Sequence, residues 1–250
     1  MNTIHFIGGN RGNIGKSFFT TLLCHFYQAC NRSFTLFDTD PHKKDVLVMY
    51  QGIGDVCFDA CNEIMVNHSE DVSKIDRIYE EALNQDVIVN MPSDSHQEML
   101  FWLTQNGLDN QSFLTESNIQ IHIWYLSNGD NSSLELLKKL VEKYSVFKTF
   151  LIRNKGIDNQ WHQYEASRVA EAEKSKSRTK KEENPIDKIP TMTLDVMPRA
   201  ERQKTFILGK TYADYISNQA NGKLSINRLT KYLNTQSAKF YQLFSLAPVA

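Results

Sequence analysis

Near the start of the chain, one stretch limits what the rest can fold into. Thr3-Ile4-His5-Phe6-Ile7 is short, apolar and β-rich, and Phe18 to Ala29 repeats apolar residues at helical spacing. Between them runs Asn10-Arg11-Gly12-Asn13-Ile14-Gly15-Lys16-Ser17. A loop that leaves a strand and opens a helix with Gly-Lys-Ser suits an anion. Backbone N–H groups around Gly12 and Gly15 can form a concave nest, and the helix opening at Lys16 and Ser17 adds its positive end. On this reading Lys16 reaches the β- and γ-phosphates of a nucleotide, and the Ser17 hydroxyl ligates Mg2+. Asn10 stands where the pattern G-x-x-x-x-G-K-[ST] has its first glycine. The plainer alternative is a glycine-rich turn that only joins strand to helix.

Composition sets outer bounds. With 250 residues, 41% hydrophobic and 23% charged, the chain is long enough for one α/β domain with a full core, expected to span 1–250. A formal charge of -1 gives no whole-protein attraction for nucleic acid, so any such binding needs a local patch. Cys24, Cys30, Cys57 and Cys61 lack zinc-type or disulfide-framework spacing. Cys57 and Cys61 are expected on one helix face, and all four are read as reduced thiols of a cytoplasmic protein. No apolar run approaches the ~20 residues of a membrane span, and the N-terminus lacks a signal-peptide shape.

The next informative segment is Ser33-Phe34-Thr35-Leu36-Phe37-Asp38-Thr39-Asp40-Pro41. It reads as a second strand with two acids at its carboxyl end, the side of an open parallel sheet where ligands sit. Asp38 and Asp40 thus return beside the phosphates; ordinary solvation of a strand end is the competing account. A third strand, Asp86 to Asn90, closes with Met91-Pro92-Ser93.

The loop Arg11 to Ser17 resembles the deviant Walker A sequence K-G-G-x-G-K-[ST] of the ParA/MinD ATPases, and Asp38-Thr39-Asp40-Pro41 resembles that family's D-x-D-P. The resemblance implies ATP and Mg2+ as ligands and a homodimer bridged by ATP. Gly12, Asn13, Ile14, Gly15, Lys16, Ser17 and Phe18 would hold the nucleotide. Arg11 stands where the family has a lysine that crosses to the partner's ATP, and Asp40 where it has the aspartate that positions the attacking water. With Lys16, these form the expected catalytic set. Arg11 keeps the charge but replaces a compact ammonium with a planar fork of donors. Ser17, Asp38 and Asn90 are the implied metal set. Asn90 stands where the family has an aspartate; its amide can accept a hydrogen bond from a metal-bound water but supplies no charge, which weakens Mg2+ binding or hydrolysis. Asp94 follows closely enough to compensate.

Further along, Asn154 matches an asparagine that faces the adenine in that family, and Pro198 a proline near the base. The stretch Gly156 to Trp161 is similar to ParA-like proteins encoded with plasmid mobilisation and stability genes; Lys155 and Trp161 are base contacts or plain loop residues. Arg199, Arg202, Lys204 and Lys210 match a basic segment that holds DNA without sequence preference. The likeness runs through most of the chain in order and is specific at three or four places.

The remaining segments carry structure more than chemistry. Lys43 to Asn84 reads as helical, Ile119 to Leu126 as a strand in which His122 is a packed or an edge residue, Ser133 to Lys143 as a helix and Phe147 to Ile152 as a strand. A charged segment at about 165–187, with Lys174 to Lys181 at its centre, is either a solvated surface or a phosphate-contacting patch. Ile189 to Met197 reads as a last strand, and residues at about 224–245 as a C-terminal helix.

The expected architecture is a doubly wound, mostly parallel sheet flanked by helices, a P-loop NTPase fold. The expected function is an ATP-dependent homodimer switch with weak ATPase activity. It would work with an adaptor protein and non-specific DNA, on the nucleoid and away from membranes, in partition, mobilisation or positioning of plasmid or mobile-element DNA. Two alternatives stay open: a nucleotide-binding scaffold without turnover, and an ATP-dependent small-molecule synthetase or kinase on the same fold.

Overall fold

The computed structural model describes residues 1–9, 11–40, 45–50, 56–57, 73–93, 95–157, 161–162, 164–166 and 184–245. Asn10, Asp94, Cys61 and the basic run Lys174 to Lys181 lie outside them.

The first strand, β1 (Asn2–Gly8), is buried along nearly its whole length, which marks it as central, since parallel strands are covered on both faces. It is flanked by β4 (Asp86–Asn90) and β5 (Ile119–Ser127), parallel to both. Beyond β4 lie β2 (Phe34–Asp38) and the two-residue edge strand β3 (Val56–Cys57); beyond β5 lie β6 (Lys148–Asn154) and β7 (Thr191–Leu194). The order is β3-β2-β4-β1-β5-β6-β7 and every pair is parallel. Among the described residues the sheet thus comprises six strands of four to nine residues plus the short edge strand, all of them parallel, in keeping with the mostly parallel sheet expected.

Strand alternation sends side chains into two apolar layers. From β5, Ile119, Ile121, Ile123 and Tyr125 enter one core, and Trp124 and Leu126 enter the other. Against the first face pack α3 (Ser73–Ala82), α4 (His96–Gln105), α5 (Gln111–Glu116) and α6 (Asn131–Lys143). The second face carries α1 (Lys16–Ala29), α2 (Asp45–Tyr50), α8 (Tyr212–Ser217) and the 22-residue α9 (Lys223–Phe244), with α7 (Arg199–Leu208) between β7 and α8. Under α9, Trp124 stacks on Phe150 with centroids 4.2 Å apart and donates through Nε1 to His5 Nδ1 at 2.9 Å. His122 is packed inside, and burial lowers its pKa to about 3.

Two segments depart from expectation. The region 43–84 is not helical throughout: β3 interrupts it, paired through Leu36 with Val56 and Phe37 with Cys57. Cys57 is therefore a strand residue and shares no helix face with Cys61; a two-residue strand has no period of its own, and pairing to β2 defines it. The last strand is only Thr191–Leu194, preceded by a 3-10 turn at Pro185–Lys188 whose Asn184 side chain accepts from Ile186 N–H. None of the described helices is long and apolar enough to cross a membrane.

Candidate nucleotide-binding site

At β1 the chain reverses its direction of sheet growth, since β2 and β4 lie on one side and β5 on the other. A crevice opens at the carboxyl ends of strands at such a point, and the loop 11–15 occupies it. Gly15 has φ 98°, and a Cβ there would lie 2.4 Å from Asn154 Nδ2, so conformation and space both exclude a side chain. Asn13 has φ 60°, a left-handed conformation that asparagine tolerates better than most residues. Asn154, at the end of β6, donates from Nδ2 to the Ile14 carbonyl at 3.0 Å and accepts from Gly156 N–H at 2.8 Å. Its amide thus fixes the loop from behind.

Lys16 opens α1 and is 6% exposed. Its Nζ donates to the Arg11 carbonyl at 2.9 Å and to Ser93 Oγ at 3.2 Å, which folds the ammonium over its own loop. A cleft of about 750 Å³ opens beside it, lined by Gly12, Asn13, Gly15, Lys16, Ser17, Phe18, Asp40, Pro92 and Ser93, with Arg202, Gln203, Phe206 and Ile207 of α7 forming a further wall. That volume falls within the usual range for small-molecule and cofactor sites.

Behind the cleft lies a buried polar chain. Asn90 Nδ2 donates to Asp38 Oδ1 at 2.8 Å and lies 3.5 Å from Ser17 Oγ; Asn90 Oδ1 accepts from Thr20 Oγ1 at 3.0 Å. Asp38 Oδ2 accepts from Leu47 N–H at 3.1 Å. Burial pushes the Asp38 carboxyl up to about 6, against the opposing pull of the hydrogen bonds from Asn90, Leu47 and Asp40. Ser17, Asp38 and Asn90 therefore converge as the sequence suggested, but Asn90 turns its donor side toward the other two. One hydroxyl and one carboxylate fit Mg2+, which takes few protein ligands and is completed by phosphates and water. Ser17 and Asp38 are the residues that would hold the ion, which would supply charge neutralisation at the phosphates. Among the described residues no cluster of three or more His, Cys, Asp or Glu could hold a metal unaided.

Arg11 is half-exposed, and its Nε lies 3.4 Å from Asp130 Oδ2. Asp130 caps α6 through Ser133 N–H at 2.9 Å. Burial pushes its carboxyl up, but hydrogen bonds from Ser132 and Ser133 and the Arg11 charge outweigh that and hold it below the usual carboxylate range.

Of the other residues singled out in the sequence, neither Asn154 nor Pro198 lines the cleft; Pro198 precedes α7 as its N-cap. Arg199, Lys204 and Lys210 are exposed, and Arg202, grouped with them by sequence, faces the cleft. Lys155 lies 3.8 Å from Asp195, and Trp161 is buried under the Arg153 guanidinium. Sequence reasoning missed Ser93, Gln203, Phe206 and Ile207. The available signal was the spacing of α7: Glu201 and Thr205 are buried on one side, leaving 202, 203 and 206 on another.

MinD from Pyrococcus horikoshii, solved with Mg-ADP, superposes with a TM-score of 0.50 at 13% identity over 96% of this chain and 99% of that one. The fold is that of this MinD. MinD from Pyrococcus furiosus (14% identity, 94% and 100% coverage, TM-score 0.49) and the ParA of pNOB8 (12%, 96% and 98%, 0.46) are further neighbours. No family model and no curated protein matches the sequence. In this MinD-like fold, the loop 11–15 and Asp40 both lie at the carboxyl edge of the sheet.

Proposed function

We propose that this protein is an ATP-dependent switch that closes as a homodimer around its nucleotide. The observation that carries the reading is the buried Lys16 at the opening of α1, bordering a cleft of about 750 Å³ with Asp40 and Ser93 on its walls. ATP phosphates would occupy the nest at Gly12 to Lys16, with Lys16 moving from the Arg11 carbonyl to the phosphates. Ser17 would hold Mg2+, and Asp40 would orient the attacking water, so that catalysis rests on positioning and charge stabilisation. To reach a partner's nucleotide, Arg11 would have to leave Asp130. The cellular setting we propose is partition, mobilisation or positioning of plasmid or mobile-element DNA, with an adaptor protein and a DNA surface at Arg199, Lys204 and Lys210.

Asn90 favours a second reading. Its amide hydrogens face Asp38 and Ser17 where a carboxylate would attract the ion, which suits a nucleotide-binding scaffold with little or no turnover. One experiment separates the two. Size-exclusion chromatography with light scattering is run with and without ATP and Mg2+, and phosphate release is read on the same samples. The switch gives an ATP-induced dimer with slow release; the scaffold gives a dimer without release. A monomer that ignores ATP, or Lys16→Ala binding ATP as the parent does, refutes both.

A further inference from the structure

We infer that Arg202 is a second cationic ligand for the nucleotide's phosphates, supplied by α7 of the same chain. The inference rests on reading the cleft as the ATP site. Arg202 lines that cleft together with Lys16, Ser17, Asp40 and Ser93, the residues that would surround a polyphosphate tail. Gly12, Gly15, Lys16 and Ser17, the loop and helix opening that would cradle phosphates, line the same space, so Arg202 borders its phosphate end. Of the charged residues on its walls, Lys16 and Arg202 are positive and Asp40 negative, a balance that favours an anion.

The helix is held in the orientation this requires. Glu201, one residue before Arg202, is 1% exposed and accepts from Ser225 Oγ at 2.8 Å, Arg228 Nε at 3.0 Å and Arg228 Nη2 at 2.6 Å. Thr205, on the same side, is fully buried. These anchors tie α7 to α9 and fix its roll. At about 100° per residue, Arg202 and Phe206 then share one face, while Lys204 lies about 200° around from Arg202. Glu201 is neutralised by Arg228 and so does not neutralise its neighbour; among the described residues Arg202 forms no ion pair. A guanidinium so placed presents a planar fork of donors, the geometry suited to two oxygens of one phosphate. The basic segment is thereby divided, one member turned to the nucleotide and the others to solvent.

Calorimetric titration of ATP and ADP into the parent protein, Arg202→Ala, Arg202→Lys, Lys16→Ala and a distant charge control, Lys139→Ala, tests this. Arg202→Ala is expected to bind ATP ~10-fold or more weakly, with Arg202→Lys recovering only part of the loss and Lys139→Ala matching the parent. Arg202 is exposed, so unchanged melting of the apo-protein is expected for both variants at that position. If Lys16→Ala loses ATP while Arg202→Ala binds it like the parent, the assignment of Arg202 is wrong and the cleft reading stands. If the parent binds neither nucleotide, both are wrong.

Discussion

Asn90→Asp restores the carboxylate of the ParA/MinD pattern, and the structure gives its cost. Asn90 Nδ2 donates to Asp38 Oδ1 at 2.8 Å; the substitution replaces that donor with an acceptor at the same distance. Two ionised carboxylates so placed repel by about 6 kcal/mol at an effective dielectric of about 20. Retaining one proton between them restores the hydrogen bond and costs less. At about pH 7.5, holding that proton against an unfolded pKa of about 3.9 costs about 5 kcal/mol. The pH dependence follows from proton counts. The parent fold takes up no extra proton until pH falls to the Asp38 pKa of about 6, whereas the variant fold holds one throughout. The destabilisation should therefore shrink by about 2 kcal/mol between about pH 7.5 and about pH 6, then level off as Asp38 of the parent also protonates. Urea unfolding of both proteins across this range reads the difference directly, and added Mg2+ should lessen it at the upper end. A difference that is small, or constant with pH, would mean that the Asp38–Asn90 contact does not set the electrostatics behind the cleft.

Other expectations concern different parts of the molecule. Asn154→Ala leaves the Ile14 carbonyl and Gly156 N–H without their partner and should cost about 2–4 kcal/mol in chemical denaturation, with weaker ATP binding from a loosened loop. His25, His96 and His122 are held neutral by burial, with pKa values lowered to about 4, 4 and 3. Stability from each is complete above the unfolded value of about 6.5 and is lost as pH falls toward the folded one, by up to ~1.4 kcal/mol per pH unit per histidine. His122→Phe should flatten part of that acid limb in pH-dependent melting. Replacing Arg199, Lys204 and Lys210 together with Ala should weaken DNA binding equally on unrelated sequences and reduce its salt dependence; unchanged affinity would remove this surface from the proposal.

The sheet and the loop were legible because each rests on a local signal. Continuous apolar runs such as Val87-Ile88-Val89 mark a strand buried on both faces, and glycine beside lysine at a strand-to-helix junction marks the anion nest. The partners of those residues were not legible. Nothing in the sequence near Lys16 points to Ser93, 77 positions away, and nothing near Arg11 points to Asp130. The resemblance points Asn154 at a base; in the structure its hydrogen bonds run to the loop backbone, a contact set by how β6 lies beside β5 and not by its own neighbours in sequence. Linear proximity groups Arg202 with the nearby basic residues and hides helical phase; burial of Glu201 against α9 separates them. The sequence around Cys57 reads as helical because two residues are too few to display strand alternation, and only pairing with β2 defines them.

The described strands end on one side with the two residues of β3 and on the other with the four of β7. Unpaired N–H and C=O groups along a sheet border are templates for adding another chain's strand, and brevity is one way of withholding them. Among the described residues β1, β2, β4, β5 and β6 are each paired on both sides, and the two border strands offer only a few rungs. A second copy of the chain would thus find little on the described borders to extend as a sheet, which leaves the described helices and loops as the surfaces for any contact between copies.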